Sequence, residues 1–351
     1  MVKDAVRDLT DPTGATERDG VAKSFQLAEE DVALLNRATA VARSSVRRYS
    51  QELLNGLKSE TKRGEVWSTE LDHAAHDGPL VAAWLGHATV LLRLGERWIL
   101  TDPVFSHRIG VRLGGWTLGA GRQGPAFDPA LLPPIDIILI SHAHFDHLDL
   151  PSMRRMASER THVITALNTR RLIPKGFASV QELNWDQEAA FNGLRIRAIR
   201  PNHWGARTAW DRHRGFNGYV LETAQNRVLF AGDTAYTDSF KACGPQGVDL
   251  TIFGIGAYNP WIQAHANPEQ VWEMHRHAAG NWLLPIHHST FKLSDEPMEE
   301  PLKRMLQAAD GQQHRVVGRE LGQLWTPDHT IVVSPEGVAK DIQEEHGGHG
   351  G

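Results

Sequence analysis

The sequence predicts a mixed α/β (α+β) fold in which sheets carry helices on their outer faces. Three observations predict it. Ten short apolar runs recur between about residues 80 and 286, each closed by polar, Gly or Pro residues. Helical patterns fall between some of these runs. A chain of 351 residues, 41% of them hydrophobic, has enough apolar surface for one large core with an appendage.

Taken in order, residues 1 to about 27 are polar and read as poorly ordered. From Glu29 to Leu57 the pattern becomes helical. Val32, Leu35, Val41, Val46, Tyr49, Leu53 and Leu57 share one face, and Arg43, Arg47 and Arg48 lie elsewhere. Such a helix packs on the main domain, the preferred reading, or touches a membrane surface as a basic amphipathic element. The expected strands are 80–85, 88–94, 97–102, 135–140, 162–167, 194–199, 218–223, 227–232, 249–254 and 281–286. Helices are expected over 267–279, where Asn267 and Pro268 make a cap and first turn, and over 297–309. These features divide the chain into an N-terminal polar and helical extension (1–75), a main domain (76–335) and a flexible Gly/His-rich tail (336–351). The run "GAGRQG" at 119–124 matches G-x-G-x-x-G. No helix start follows to receive a pyrophosphate, so it reads as a loop at the rim of a cleft.

Lys plus Arg is 37 and Asp plus Glu is 42, for a net charge of -5. That balance argues against a nucleic-acid partner. The lone cysteine, Cys243, forms no intrachain disulfide, and the charged N-terminus has no apolar signal core. No apolar run approaches the ~20 residues that span a bilayer. A cytoplasmic protein is expected, with peripheral membrane contact and a homodimer left open. Nineteen histidines favour metal chemistry, and eleven tryptophans favour a cleft for something partly apolar.

The stretch "ILISHAHFDHLD" (138–149) runs four apolar residues into His142, His144, Asp146, His147 and Asp149. Alternate residues of a strand share a face, so His142 and His144 point the same way, and a turn brings Asp146 and His147 to a neighbouring point. Three more apolar runs end in the same manner. "LRIRAIRPNHW" reaches His203, "RVLFAGDT" reaches Asp233, and "NWLLPIHHSTF" reaches His287 and His288. Groups placed just past strand ends gather at one sheet edge. Imidazole and carboxylate without thiolate suit Zn2+, Mn2+ or Fe2+ and exclude an iron–sulfur cluster. Seven ligands are too many for one tetrahedral ion and suit two divalent ions bridged by a carboxylate.

H-x-H-x-D-H at 142–147 with His203, Asp233 and His287 resembles the metallo-β-lactamase superfamily of hydrolases. "WLGHATVLL", "LTDPVF", "FAGDTAYT", "IGAYNP", "HANPEQ" and "PIHHSTF" are similar to the branch that contains N-acyl-phosphatidylethanolamine-hydrolysing phospholipase D and its bacterial relatives. The likeness covers about residues 81–305. It implies a four-layer αββα sandwich, here with an N-terminal helical extension. It implies that His142, His144 and His203 hold one metal, that Asp146, His147 and His287 hold a second, and that Asp233 bridges them. His288 is the rival of His287, which is preferred because it comes first after the strand. Catalytic roles fall to Asp146 and Asp233. His265 is a proton donor or phosphate ligand, or else only flanks the following helix. Tyr258 and Trp261 shape the cleft; His87, Asp102 and Asp149 are candidates to orient ligands, with a cap as the alternative for Asp102.

The implied activity is hydrolysis of a small-molecule or lipid phosphodiester, of the N-acylphosphatidylethanolamine type, by water activated between two cations. A lactonase or sugar-phosphate hydrolase of the same fold is the alternative, and a non-catalytic metal-binding scaffold is the reading from another class. Two departures concern the substrate: the basic loop "PNHWGARTAWDRHRG", and His288 with Ser289 in "PIHHSTF".

Overall fold

The computed structural model describes residues 78–327, apart from 115, 209 and 245, together with short strands at 66–67, 330–333 and 339–341. The helix expected over 29–57, and the tail apart from that last strand, lie outside the described residues.

Two sheets form the framework. The first has nine strands in the spatial order β10 (Ser179–Leu183), β9 (His162–Ala166), β8 (Ile137–Ile140), β4 (Arg97–Thr101), β3 (Val90–Leu94), β2 (Leu80–Trp84), β17 (Leu324–Trp325), β18 (Thr330–Val333) and β19 (Ala339–Asp341). The second has six in sequence order: β11 (Glu188–Phe191), β12 (Leu194–Ile199), β13 (Gly218–Glu222), β14 (Arg227–Phe230), β15 (Val248–Gly254) and β16 (Gly280–Ile286). Two small pairings complete the described strands, β1 (Val66–Trp67) with β7 (Ala126–Phe127), and the hairpin β5 (Val111–Leu113) with β6 (Trp116–Leu118).

The period-two rule sorts side chains into layers. Leu80, Ala82 and Trp84 of β2 join Leu139, Ile164, Ile196, Leu221, Phe230, Ile252 and Ile286 in one buried cluster between the sheets. Val81 and Ala83 join Ile138, Ile140 and Val163 on the other face, with Met153 of the helix α1 (Leu150–Met156). On the outer face of the second sheet, Val220, Leu229, Phe253 and Leu283 pack with Val271 and Met274 of α2 (Pro268–His277) and Met305 of α3 (Glu300–Ala308). The result is helix, sheet, sheet, helix. Central strands bury both faces and so read as unbroken apolar runs. Each fully buried Leu or Ile stabilises by roughly 1.5–3 kcal/mol.

The expected strands match these elements to within a few residues. Helix α2 starts where expected, with Asn267 and Gln270 forming a reciprocal cap. Helix α3 begins three residues later than Pro297, with Pro301 in its first turn. The "GAGRQG" run is a loop after the β5–β6 hairpin, as read from the sequence. Strands β10 and β11 carried no apolar run. Both are edge strands with partly exposed, polar sequences, "SVQEL" and "EAAF".

Strand direction explains the site. β4, β8 and β9 are parallel, and β2 runs with them because β3 opposes both of its neighbours. In the second sheet β14, β15 and β16 are parallel, and β12 runs the same way across the opposed β13. Within each sheet, then, the strands that precede candidate residues all end on one edge. A cross-sheet tie holds the two edges together. Tyr219, buried on β13, donates its hydroxyl to the Ile140 carbonyl at 2.9 Å, and the Asn217 amide donates to the Ser141 carbonyl at 2.9 Å.

Tyr219→Phe leaves the buried Ile140 carbonyl without that donor. The expected loss is about 1–3 kcal/mol in urea unfolding, with the same m-value. An unchanged midpoint would show that the tie contributes nothing.

Candidate metal centre

Each functional side chain leaves its strand through a tight turn. His87, Asp102 and His287, which follow β2, β4 and β16, all have positive φ, of 52°, 31° and 60°. For a non-glycine residue that backbone costs on the order of 1 kcal/mol or more, and such positions cluster at functional sites. Gly232 precedes Asp233 at φ 62°; a Cβ there would sit 2.8 Å from the Asn217 carbonyl oxygen and 3.0 Å from Ser141 Cβ. Only glycine lets the chain after β14 pass so close to the start of the 142–147 motif.

The turns bring the sequence-predicted residues together. His142, His144, His203 and Asp233 each offer a ligand atom, and these atoms lie within 4.8 Å of one another. The same holds for His87, Asp146, His147 and His287, and for Asp233, His265 and His287. Asp233 Oδ2 stands at the centre. It lies 3.0 Å from His147 Nε2, 3.3 Å from His287 Nε2, 3.8 Å from His203 Nε2, 3.8 Å from His265 Nδ1 and 3.9 Å from His142 Nε2. Asp146 Oδ2 lies 3.3 Å from His287 Nε2 and 3.6 Å from His147 Nε2.

A ring of partners orients the imidazoles. Asp102 Oδ2 meets His147 Nδ1 at 2.7 Å, so the carboxylate holds the ring with Nε2 toward the centre. Ser141 donates its backbone N–H to Asp102 Oδ1 at 2.7 Å, and its hydroxyl lies 2.5 Å from Asp102 Oδ2 and 2.9 Å from His142 Nδ1. The Ala264 carbonyl meets His203 Nδ1 at 3.0 Å. His87 Nε2 meets Asp146 Oδ2 at 3.0 Å, and its backbone carbonyl accepts from Trp84 Nε1 and the His287 amide. Asp149 does not join this ring. It caps α1, accepting from the Ser152 amide at 3.2 Å, the Ser152 hydroxyl at 2.5 Å and the Ser106 hydroxyl at 2.6 Å. Asp102, read as either cap or orienting group, orients.

Other residues separate as follows. His288 stays outside the cluster: it stacks on Trp84 at 4.5 Å, with Nδ1 2.9 Å from Ser289 Oγ. Tyr258 donates to Glu300 at 2.7 Å and so fastens its loop to α3. The Trp261 carbonyl accepts the amides of Ala264 and His265. Arg207, one of the unexpected basic residues, clamps the 142–148 loop by donating to the carbonyls of Ala143 at 2.9 Å and Leu148 at 2.8 Å, with its guanidinium 4.0 Å over Phe145. Sequence reasoning missed Ser141; its one signal was a hydroxyl residue directly between the strand and His142.

The electrostatics show a site built for positive charge. Burial alone would raise Asp146 and Asp233, but the surrounding histidines, His147 first, hold both well below the usual carboxylate range. Burial opposes protonation of His287, yet Asp233 and Asp146 raise it to about 9; the carboxylates likewise push His147 well above its ordinary value. Burial lowers the others: His144 to about 4, and His203 and His265 to about 3. His147 Nε2, both ring nitrogens of His287 and Asp233 Oδ1 are buried without hydrogen-bond partners. Orphaned imidazole nitrogens around two carboxylates are what divalent cations satisfy, so the donor set fits the metal that its chemistry implies.

A family model described as a beta-lactamase superfamily domain matches residues 97–288, more than half of the chain. The chain belongs to the metallo-β-lactamase superfamily. An uncharacterized Mycobacterium tuberculosis protein is 30% identical over 277 residues, which cover 73% of this chain and 71% of that one. The N-acyl-phosphatidylethanolamine-hydrolyzing phospholipase D 1 of Caenorhabditis elegans is 30% identical over 287 residues, covering 74% and 79%. A solved metallo hydrolase from Ignicoccus hospitalis superposes with a TM-score of 0.50 at 18% identity, covering 75% of this chain and 99% of its own, a likeness of fold alone. This member of the superfamily is a metal-dependent hydrolase, and among its described residues no helix is long and apolar enough to cross a membrane.

Cations and protons compete for the same nitrogens. His287 keeps its proton until about pH 9, so below that pH cation binding must release it. Apparent affinity for Zn2+ should therefore rise from pH 6 to about 9, with His147, also held protonated above its ordinary range, adding to the slope. Calorimetry in buffers of different ionisation enthalpy reads the released protons; no release at pH 7 would show that His287 is not displaced.

Proposed function

We propose that the protein is a dinuclear-metal phosphodiesterase that hydrolyses lipid phosphodiesters of the N-acylphosphatidylethanolamine type. The observation that carries this reading is the single carboxylate of Asp233 standing between two groups of ligands. His142, His144 and His203 would hold one cation and Asp146, His147 and His287 the other. The phospholipase D relative supports the substrate class.

Bound divalent cations would supply Lewis-acid chemistry, making a water nucleophilic near neutral pH and neutralising charge on phosphoryl oxygens. The chain does the rest. Asp102 and Ser141 keep the Nε2 atoms of His147 and His142 turned inward. Asp146 and Asp233 accept hydrogen bonds from the attacking water and orient it. His265 lies at the edge of the centre, its ring 5.1 Å from the rings of both His203 and His287. Burial keeps it neutral at pH 7, so it offers one N–H to a phosphoryl oxygen and no ready proton to the leaving group. Water adds to phosphorus, the ester P–O bond breaks, a proton given up by that water reaches the leaving alkoxide through solvent, and a phosphomonoester and an alcohol leave.

Metal-loaded protein should hydrolyse a generic aryl phosphodiester and not a panel of lactones; the reverse preference would overturn the substrate class. Asp233→Asn should lower bound divalent metal from two equivalents to one or none, by elemental analysis, and abolish turnover. Full occupancy with activity in that variant would refute the shared carboxylate. His265→Ala should keep its metal and lose about 10- to 100-fold in kcat/KM. A loss beyond about 1,000-fold would point to proton donation instead.

A further inference from the structure

Among the described residues, five large hydrophobic side chains stand out of the surface: Val111, Trp116, Trp204, Trp210 and Ile262. Trp210 is 93% exposed and Trp116 68%. They fall in three segments: two adjoin His203 and His265, and the third, the β5–β6 hairpin, connects to His87 only through Arg122 and Phe291. Trp204 directly follows His203; its ring lies 4.5 Å from that imidazole and 5.2 Å from His144. Ile262 sits in the turn between Trp261 and His265. Val111 and Trp116 belong to the β5–β6 hairpin. The chain leaving it passes through Arg122, whose guanidinium lies 4.9 Å over Phe291, and Phe291 meets His87 edge-on at 5.2 Å.

The charge on these loops runs against the rest of the chain. Residues 106–124 hold three arginines and no acid, and residues 200–215 hold four arginines and one acid, Asp211, which is paired with Arg214 at 2.5 Å. Residues 256–266 carry no Asp, Glu, Lys or Arg. The whole chain is at -5. Arg112 and Arg212 are exposed beside the protruding side chains. A cavity of about 510 Å³ opens in the second loop between Trp204, Arg207, Thr208 and Arg212, pairing indole and guanidinium walls.

We propose that this rim is a docking surface for an anionic phospholipid bilayer. Exposed indoles settle at the boundary between headgroups and acyl chains, and arginines beside them reach anionic headgroups. Each basic residue near such a surface contributes about fivefold in partition. A polynucleotide would use the same arginines and could stack on indoles. It has no use for exposed Val111 and Ile262, which favour acyl chains. Docking there would present headgroup phosphates to the centre without removing the lipid from the membrane. The proposal rests on the phosphodiesterase reading only for the purpose of docking; binding itself is measured without turnover.

The test is sedimentation of full-length, metal-loaded protein with vesicles of phosphatidylcholine, with and without phosphatidylglycerol. The wild type should bind the anionic vesicles more tightly. Trp116→Ser with Trp210→Ser, and separately Arg112→Glu with Arg212→Glu, should each lower that partition about tenfold or more. Both should hydrolyse the soluble aryl phosphodiester at the wild-type rate. Equal partition for wild type and either double variant would overturn the proposal. So would no wild-type preference for anionic lipid, or tighter binding to a single-stranded oligonucleotide than to vesicles. Vesicle binding that responds to these variants in a protein inactive on every phosphodiester would uphold docking and remove the phosphodiesterase reading instead.

Discussion

Two carboxylates inside a shell of imidazoles, Asp233 buried and Asp146 partly exposed, set the terms for the rest of the molecule. Asp146 and Asp233 are held ionised by their neighbours, and charge so far out of solvent must be matched. In the metal-free protein, protons on His147 and His287 provide the match. Bound divalent metal would supply positive charge at the same nitrogens in place of those protons. The centre is therefore a store of electrostatic free energy that the fold must hold closed, and the sheets, turns and ties around it serve that end.

The scaffold holds it by converging backbones. Two sheets packed face to face bring the carboxyl ends of their strands close together, and the candidate ligands lie in the segments that leave those ends. The positive φ angles at His87, Asp102 and His287 and the close pass at Gly232 are the local cost of turning side chains inward. Asp102, just past β4, and Ser141, just past β8, bond to each other within the first sheet, and Tyr219 of β13 reaches across from the second sheet to Ile140. The ligand groups are thus placed by rigid elements, and the loops beyond them are left free to carry substrate-facing chemistry.

Much of this was legible in residue order because burial on both faces writes a plain signature. Strand β8 is apolar throughout and β14 and β16 finish in buried apolar runs, so their ends and the histidines or aspartates just past them stand out. The helix after Asn267 announced itself by its cap. Strands β10 and β11 stayed hidden because edge strands keep polar residues on their open sides. Helix α1 was missed because seven residues are too few to show a period, and Asp149, which caps it, looked like part of the metal motif.

What the sequence determined by itself was the donor set, the strand-then-ligand grammar and hence the superfamily, since these depend on residue type and local spacing. What only the tertiary structure decided was partnership: that Asp233 stands between the two groups, that His87 serves Asp146, that His288 stacks on Trp84 outside the centre, and that Arg207 clamps a loop. It also set Trp204 against His203 and His144, and Arg207 and Arg212 beside Trp204 in one cavity. Distances between residues far apart in the chain follow from how two sheets pack, and no local pattern encodes that packing.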